Sequence, residues 1–129
     1  YLLKIDLARQ RVYCYGWEKG GYGKLVKKMP CSTGLDETPT PTGTFQTSGP
    51  VSRWCYFPKF GYWAQYGTRI RGNILFHSAL YTQPNEESAS RVSARNLGRQ
   101  ASNGCVRLSV ENARWIYENC PAGTTVVVY

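Results

Sequence analysis

The chain has 129 residues, 42% hydrophobic, 19% charged and 14% aromatic: enough apolar material for a single domain over 1–129, and too much for a disordered segment. Thirteen Gly and seven Pro without a G-X-Y period exclude a fibrous chain and point to a turn-rich, β-dominated one. Sixteen Lys+Arg against eight Asp+Glu leave a net charge of +8, which favours polyanionic surroundings such as nucleic acid, an anionic membrane face or an acidic wall polymer.

The first third of the sequence predicts antiparallel strands. Leu3, Ile5 and Leu7 alternate with Lys4 and Asp6; after Ala8-Arg9-Gln10, Val12 and Cys14 alternate with Arg11, Tyr13 and Tyr15. A turn at Gly20-Gly21-Tyr22-Gly23 returns the chain as a partner strand over 24–29. The run Pro39-Thr40-Pro41-Thr42-Gly43-Thr44-Phe45 is a rigid extended connection, because two prolines this close forbid helix and central strand alike. Residues 51–76 are rich in aromatics (Trp54, Tyr56, Phe57, Phe60, Tyr62, Trp63, Tyr66), most of them expected in the core and a few along a groove. A short buried strand over 72–76 ends at His77.

The polar stretch 84–99 has room for one short helix with Asn85 as a cap. Within it, Arg91, Arg95 and Arg99 recur every four residues behind Glu87, as on a solvated helix face. The principal helix is predicted over about 110–119, with Ser109 as N-cap, Glu111 in the first turn and Pro121 as the stop. The run 124–129 is a closing strand. Many strands, one clear helix and no repeated βαβ unit make a mostly-β sandwich or barrel-like domain.

No apolar run is long enough to span a bilayer, so no membrane contact is expected within this domain. There is no basic-then-apolar leader and the chain starts at Tyr1, which reads as a processed domain whose targeting or anchoring segment lies elsewhere. The basic residues are scattered from Lys4 to Arg114 rather than gathered on one element, which speaks against a nucleic-acid partner. The five cysteines (Cys14, Cys31, Cys55, Cys105, Cys120) contain no CxxC pair and His77 is the single histidine, so no zinc site is expected. The odd count leaves at least one thiol free; for the others, disulfides and buried thiols both stay open.

Cys105 is the residue on which chemistry would turn. In Ser102-Asn103-Gly104-Cys105-Val106-Arg107-Leu108, Gly104 permits a turn that presents the thiol together with backbone N–H groups, a potential oxyanion hole. Arg107 and the nearby helix N-terminus would favour thiolate over thiol. The competing reading is an ordinary buried cysteine. His77 is equally ambiguous alone, since a histidine after Ile74-Leu75-Phe76 is often a satisfied core residue. It is also the only imidazole available as a base for a thiol. His precedes Cys in the chain, the reverse of papain-like enzymes.

Taken together, these segments resemble the L,D-transpeptidase catalytic domains of the YkuD family. Ser102-x-Gly104-Cys105-Val106-Arg107-Leu108 is similar to that family's cysteine motif, and Phe76-His77-Ser78-Ala79-Leu80-Tyr81 to the segment carrying its histidine. Ser32-Thr33-Gly34, the TPTPTGTF run from Thr38, the opening Ile5-Asp6-Leu7, and the last helix and strand match in order, so the resemblance covers nearly the whole chain. Two features depart from it: Asn103 stands where histidine is common, and the interval from His77 to Cys105 is longer than in compact members. The extra polar segment 82–96 is expected to cover or border the groove.

The resemblance implies a β-rich catalytic domain that forms 3→3 peptidoglycan cross-links between donor and acceptor stem peptides. Cys105 would attack the donor carbonyl with release of D-Ala, and His77 would move the proton. Backbone N–H groups of Gly104 and Cys105 would hold the oxyanion. Ser102 and Asn103 would support the loop, Ser78 the imidazole, and Arg107 the loop or a stem carboxylate. Neither metal nor organic cofactor is implied. β-Lactams of the carbapenem type are expected inhibitors, and the cell wall or periplasm the location. A sortase-like transpeptidase, an L,D-carboxypeptidase and an inactive wall-binding module are the alternatives.

Overall fold

Apolar residues at every second position bury one face of each early strand. In the computed structural model, which describes residues 1–129, β1 (Leu2–Asp6) buries Leu3 and Ile5, and β2 (Arg11–Glu18) buries Val12 and Cys14. β3 (Gly21–Pro30) returns beside β2 with Val12 opposite Met29. The closing strand β10 (Thr125–Val128) runs parallel to β1, and β4 (Gly43–Gln46) runs antiparallel to β10. The first sheet therefore has the order β3-β2-β1-β10-β4.

The second sheet has the order β5-β6-β7-β9, built from β5 (Gly49–Phe57), β6 (Tyr62–Arg71), β7 (Ile74–Ser78) and β9 (Val106–Leu108). The two-residue β8 (Leu80–Tyr81) pairs with β6. Leu3, Ile5, Phe76, Val106, Leu108 and Val126 meet in the core between the sheets. The helix α2 (Val110–Asn119) adds Ala113 and Ile116. Its Ser109 hydroxyl accepts from the Asn112 N–H, so the predicted cap is formed. The mostly-β class, the two sheets and the principal helix agree with expectation.

Three local expectations fail. Of the seven aromatics Trp54, Tyr56, Phe57, Phe60, Tyr62, Trp63 and Tyr66, none is fully buried and only Tyr66 packs against the core. Most of these rings pair with one another on the β5/β6 hairpin instead, as in Tyr56–Trp63 at 4.9 Å and Phe57–Tyr62 at 5.1 Å, while Trp54 meets Tyr81 and Tyr66 meets Tyr117. The arginine stripe dissolves because the helix α1 (Arg91–Arg95) ends before Arg99. Glu87 lies in a separate 3₁₀ turn (Glu86–Ser88) and makes no ion pair; it is Glu86 that meets Arg53. Asn85 does cap, but it caps that 3₁₀ turn. All five cysteines are free thiols.

Candidate active site

A parallel ladder puts His77 and Cys105 on one face of the sheet, without a hydrogen bond between them, and His77 does not line the cavity onto which the thiol opens. In β7 and β9, Phe76 pairs with Val106 and His77 with Arg107, so His77 and Arg107 project from one face of the sheet. Cys105, one residue before β9, continues that face beside Leu75, whose N–H donates to its sulfur at 3.5 Å. The half-buried thiol donates to the Asn73 carbonyl at 3.3 Å. It opens on a cavity of about 560 Å³ walled by the β5/β6 hairpin, including Trp54, Tyr56, Phe57, Phe60 and Tyr62. These five belong to the set of which most are expected in the core and a few along a groove; the groove takes more of them than expected. Lys59 and Arg69 also line the cavity, and no carboxylate does.

His77 is completely buried, with the Phe57 ring 5.0 Å from its own. Its Nδ1 lies 2.6 Å from the Ser78 carbonyl, an acceptor only, which fixes the proton on Nδ1 and leaves Nε2 as the acceptor. Nε2 has no partner. Burial drives the imidazole down to about 4, against the smaller opposing pull of the Ser78 carbonyl, and the Arg107 charge lowers it further. It is neutral at pH 7. The Ser78 hydroxyl is occupied elsewhere, accepting from the Gln65 N–H at 2.7 Å and donating to the Ala79 carbonyl at 2.8 Å. Ser78 therefore orients the imidazole through its carbonyl.

The expected thiolate is corrected by the structure. Burial pushes the Cys105 thiol above its ordinary value, and the Leu75 N–H and the Arg107 charge offset this only in part. Between Cys105 and α2 runs the whole of β9, and the helix N-terminus is occupied by Ser109. Arg107 itself is 6% exposed, lies 5.9 Å over the Tyr62 ring, leaves Nε unpaired and meets no carboxylate. A buried cation without a counter-charge raises the electrostatic potential of the whole site.

The loop before Cys105 is held by hydroxyls. Ser102 Oγ accepts from the Gly104 N–H at 3.1 Å and donates to the Cys105 carbonyl at 2.5 Å. The Gly104 N–H is thus spent inside the loop rather than free for an oxyanion, which removes one of the two expected donors; the Cys105 N–H makes no hydrogen bond. Gly104 takes φ +129°, and a Cβ there would lie 2.8 Å from Ile74 Cδ1, so the position requires glycine. Asn103 is exposed, lines the cavity and makes no hydrogen bond, so it faces the groove rather than holding the loop.

The Ser32–Thr40 segment does the holding. The Ser32 N–H and C=O bond the Arg107 backbone at 3.0 and 2.9 Å, and the Leu35 N–H donates to the Ser102 carbonyl at 3.0 Å. Buried Gln10 clamps Thr33, accepting its N–H at 2.8 Å and donating to its hydroxyl at 2.6 Å. Of Ser32, Thr33 and Leu35, sequence reasoning singles out only Ser32 and Thr33, as a family match. Periodicity carries no sign of a buried hydroxyl with a long-range partner. The 82–96 segment contributes nothing to the cavity lining, contrary to expectation. It is tied down elsewhere, through Ser93 Oγ to the Leu80 N–H at 2.8 Å and the Asn96 carbonyl to Ser32 Oγ at 2.7 Å.

The two-sheet sandwich thus carries cysteine, histidine and arginine on one face of a parallel strand pair. The chain belongs to the YkuD family of L,D-transpeptidase catalytic domains, whose sequence model matches residues 1–128. It is 36% identical to the protein named "Putative L,D-transpeptidase YciB" of Bacillus subtilis (strain 168), over 98% of this chain and 64% of YciB. Among solved structures, a Clostridium acetobutylicum protein described as a fused Zn-dependent amidase/peptidase/peptidoglycan-binding protein superposes with a TM-score of 0.75 at 33% identity, covering 99% of this chain and 51% of the other. The L,D-transpeptidase LdtMt1 in complex with imipenem superposes with a TM-score of 0.78 at 20% identity, over 99% and 58%. The chain thus spans between about half and two thirds of these relatives.

Proposed function

We propose that this domain is a cysteine-dependent transpeptidase that joins peptidoglycan stem peptides by 3→3 cross-links outside the cytoplasm. The observation that carries the mechanism is the unpartnered, neutral Nε2 of His77 on the sheet face that also presents the Cys105 thiol. As the donor stem enters the aromatic groove, the thiol exchanges the Asn73 carbonyl for Nε2, a contact that commonly tightens only with substrate bound. Sulfur then attacks the carbonyl of the third donor residue while its proton passes to Nε2. The carbonyl oxygen becomes an oxyanion facing the free Cys105 N–H, near the positive field of Arg107.

Collapse of this intermediate breaks the amide bond to the terminal D-Ala, whose nitrogen takes the proton from His77, and leaves a thioester on Cys105. The side-chain amine of an acceptor stem attacks the thioester, His77 accepts its proton, and the thiol is regenerated. Water attacking instead gives L,D-carboxypeptidase chemistry. The absence of carboxylates from the groove, together with Lys59 and Arg69, suits a substrate rich in carboxylate groups. Carbapenems would acylate the same thiol of this domain, a reading in keeping with the complex of LdtMt1 with imipenem. Mass spectrometry of tetrapeptide stems incubated with the domain tests the reading. Cross-linked dimer with free D-Ala is the expected product; unprocessed stems refute it, and tripeptide alone shifts the assignment to carboxypeptidase.

A further inference from the structure

Thr40 packs against the cysteine loop, does not line the cavity and is 3% exposed. Its hydroxyl accepts from the Gly34 N–H at 2.9 Å and donates to the Gly104 carbonyl at 2.6 Å. Gly34 makes this approach possible, since a Cβ there would fall 2.0 Å from the Thr38 carbonyl oxygen. The Gly104 carbonyl and the Cys105 N–H belong to one trans peptide plane and point in opposite directions. Holding the carbonyl against Thr40 therefore directs the N–H of Cys105, a residue that lines the cavity, away from Thr40. That N–H has no acceptor in the protein, while the Gly104 N–H and the Cys105 carbonyl are both taken by Ser102.

We infer that Thr40 is a positioning residue for acyl transfer: its hydroxyl sets the Gly104–Cys105 peptide plane so that the Cys105 N–H meets the oxyanion. The need for such a lock follows from Gly104 itself. Glycine lets the adjoining peptide plane rotate at little cost, so a loop with glycine before the nucleophile presents its N–H reliably only if the carbonyl is tied. Ser102 ties the planes on either side of this one, and Thr40 ties the plane between them. The inference rests on Cys105 being the acylated group.

Two reactions at the same sulfur separate this role from general support of the loop. Acylation by a carbapenem passes through an oxyanion; alkylation by iodoacetamide does not. Thr40→Val keeps the shape and removes the hydroxyl, and Thr40→Ser restores it. The expected result is carbapenem acylation of Cys105 slowed about 10²-fold in Thr40→Val, the scale of losing one oxyanion donor. Iodoacetamide labelling of Cys105 should be unchanged, and Thr40→Ser should recover most of the acylation rate. With stem peptide, kcat should fall while KM holds. Equal slowing of both reactions overturns the inference in favour of loop integrity, and so does an unchanged acylation rate or a serine variant as slow as valine. A wild-type domain that is alkylated but never acylated defeats the acyl-transfer reading itself, a separate failure.

Discussion

Lowering the pH from 7 to 4 should destabilise this domain through His77 in particular. The imidazole has an ordinary value of 6.5 and is held down to about 4 by complete burial. Between these values the unfolded chain binds the proton and the folded chain does not, so stability rises with pH across that window and is lost as pH falls. Above pH 6.5 both forms are neutral and the group has no effect. The gap is equivalent to about 3 kcal/mol, fully lost once the pH is below 4. A loss of that size is a large part of an ordinary domain's stability.

Urea denaturation of wild type and His77→Gln at pH 7 and pH 4 isolates the effect. Asp6, whose carboxyl is lowered chiefly by the Arg9 backbone N–H, also loses stability as acid protonates it, but equally in both proteins. Wild type should therefore lose about 3 kcal/mol more than the variant, whatever each loses in total. The same burial places the acid limb of Cys105 acylation near pH 4 rather than 6.5, because the base stays neutral until then. Equal losses in the two proteins, with an acid limb at 6.5, would refute the buried neutral imidazole.

Other outcomes follow from the packing and the thiols. Cys105→Ala should abolish product formation with a nearly unchanged unfolding midpoint, since its half-buried side chain fills little core; residual turnover would exclude it as nucleophile. A carbapenem should add one drug mass, mapped by peptide digestion to Cys105, because burial pushes Cys14 to about 11 and Cys31 and Cys120 to about 12. An adduct spread over several cysteines would contradict the geometry. Ile116→Ala should cost about 2–5 kcal/mol in chemical denaturation, as a fully buried residue between helix and sheets; a loss under about 1 kcal/mol would show that α2 is not anchored there.

The sequence carried the outer architecture well because burial writes itself as period two. Leu3/Ile5 and Val12/Cys14 announce β1 and β2 unaided, and Ser109 with Glu111 announces α2. Aromatic content misleads for a physical reason: rings bury large areas wherever they pack, and Tyr56, Phe57, Phe60, Tyr62 and Trp63 pack against each other on the β5/β6 hairpin. Composition cannot tell a core wall from a groove wall. The arginine repeat fails similarly, since a spacing of four is a helix signal only while the helix lasts, and α1 stops at Arg95. At the site, Cys105 and His77 stand out by type and count. Thr40 and Gln10 act through long-range hydrogen bonds that leave no local pattern.

The charge state of the site depends most on what local sequence cannot show. Arg107 two residues after a cysteine looks like a thiolate stabiliser, and its charge does pull that thiol down. The same charge opposes an imidazolium at His77, on the same sheet face. Burial disfavours both ions as well, so a preformed thiolate–imidazolium pair is penalised at each end and the resting groups are neutral. What the unpaired guanidinium favours is negative charge appearing close by without a cation to repel. Under the proposed chemistry that describes the tetrahedral oxyanion once the proton has moved on to the departing amine. The field is then in place before the reaction and is strongest for a charge that the free domain does not carry.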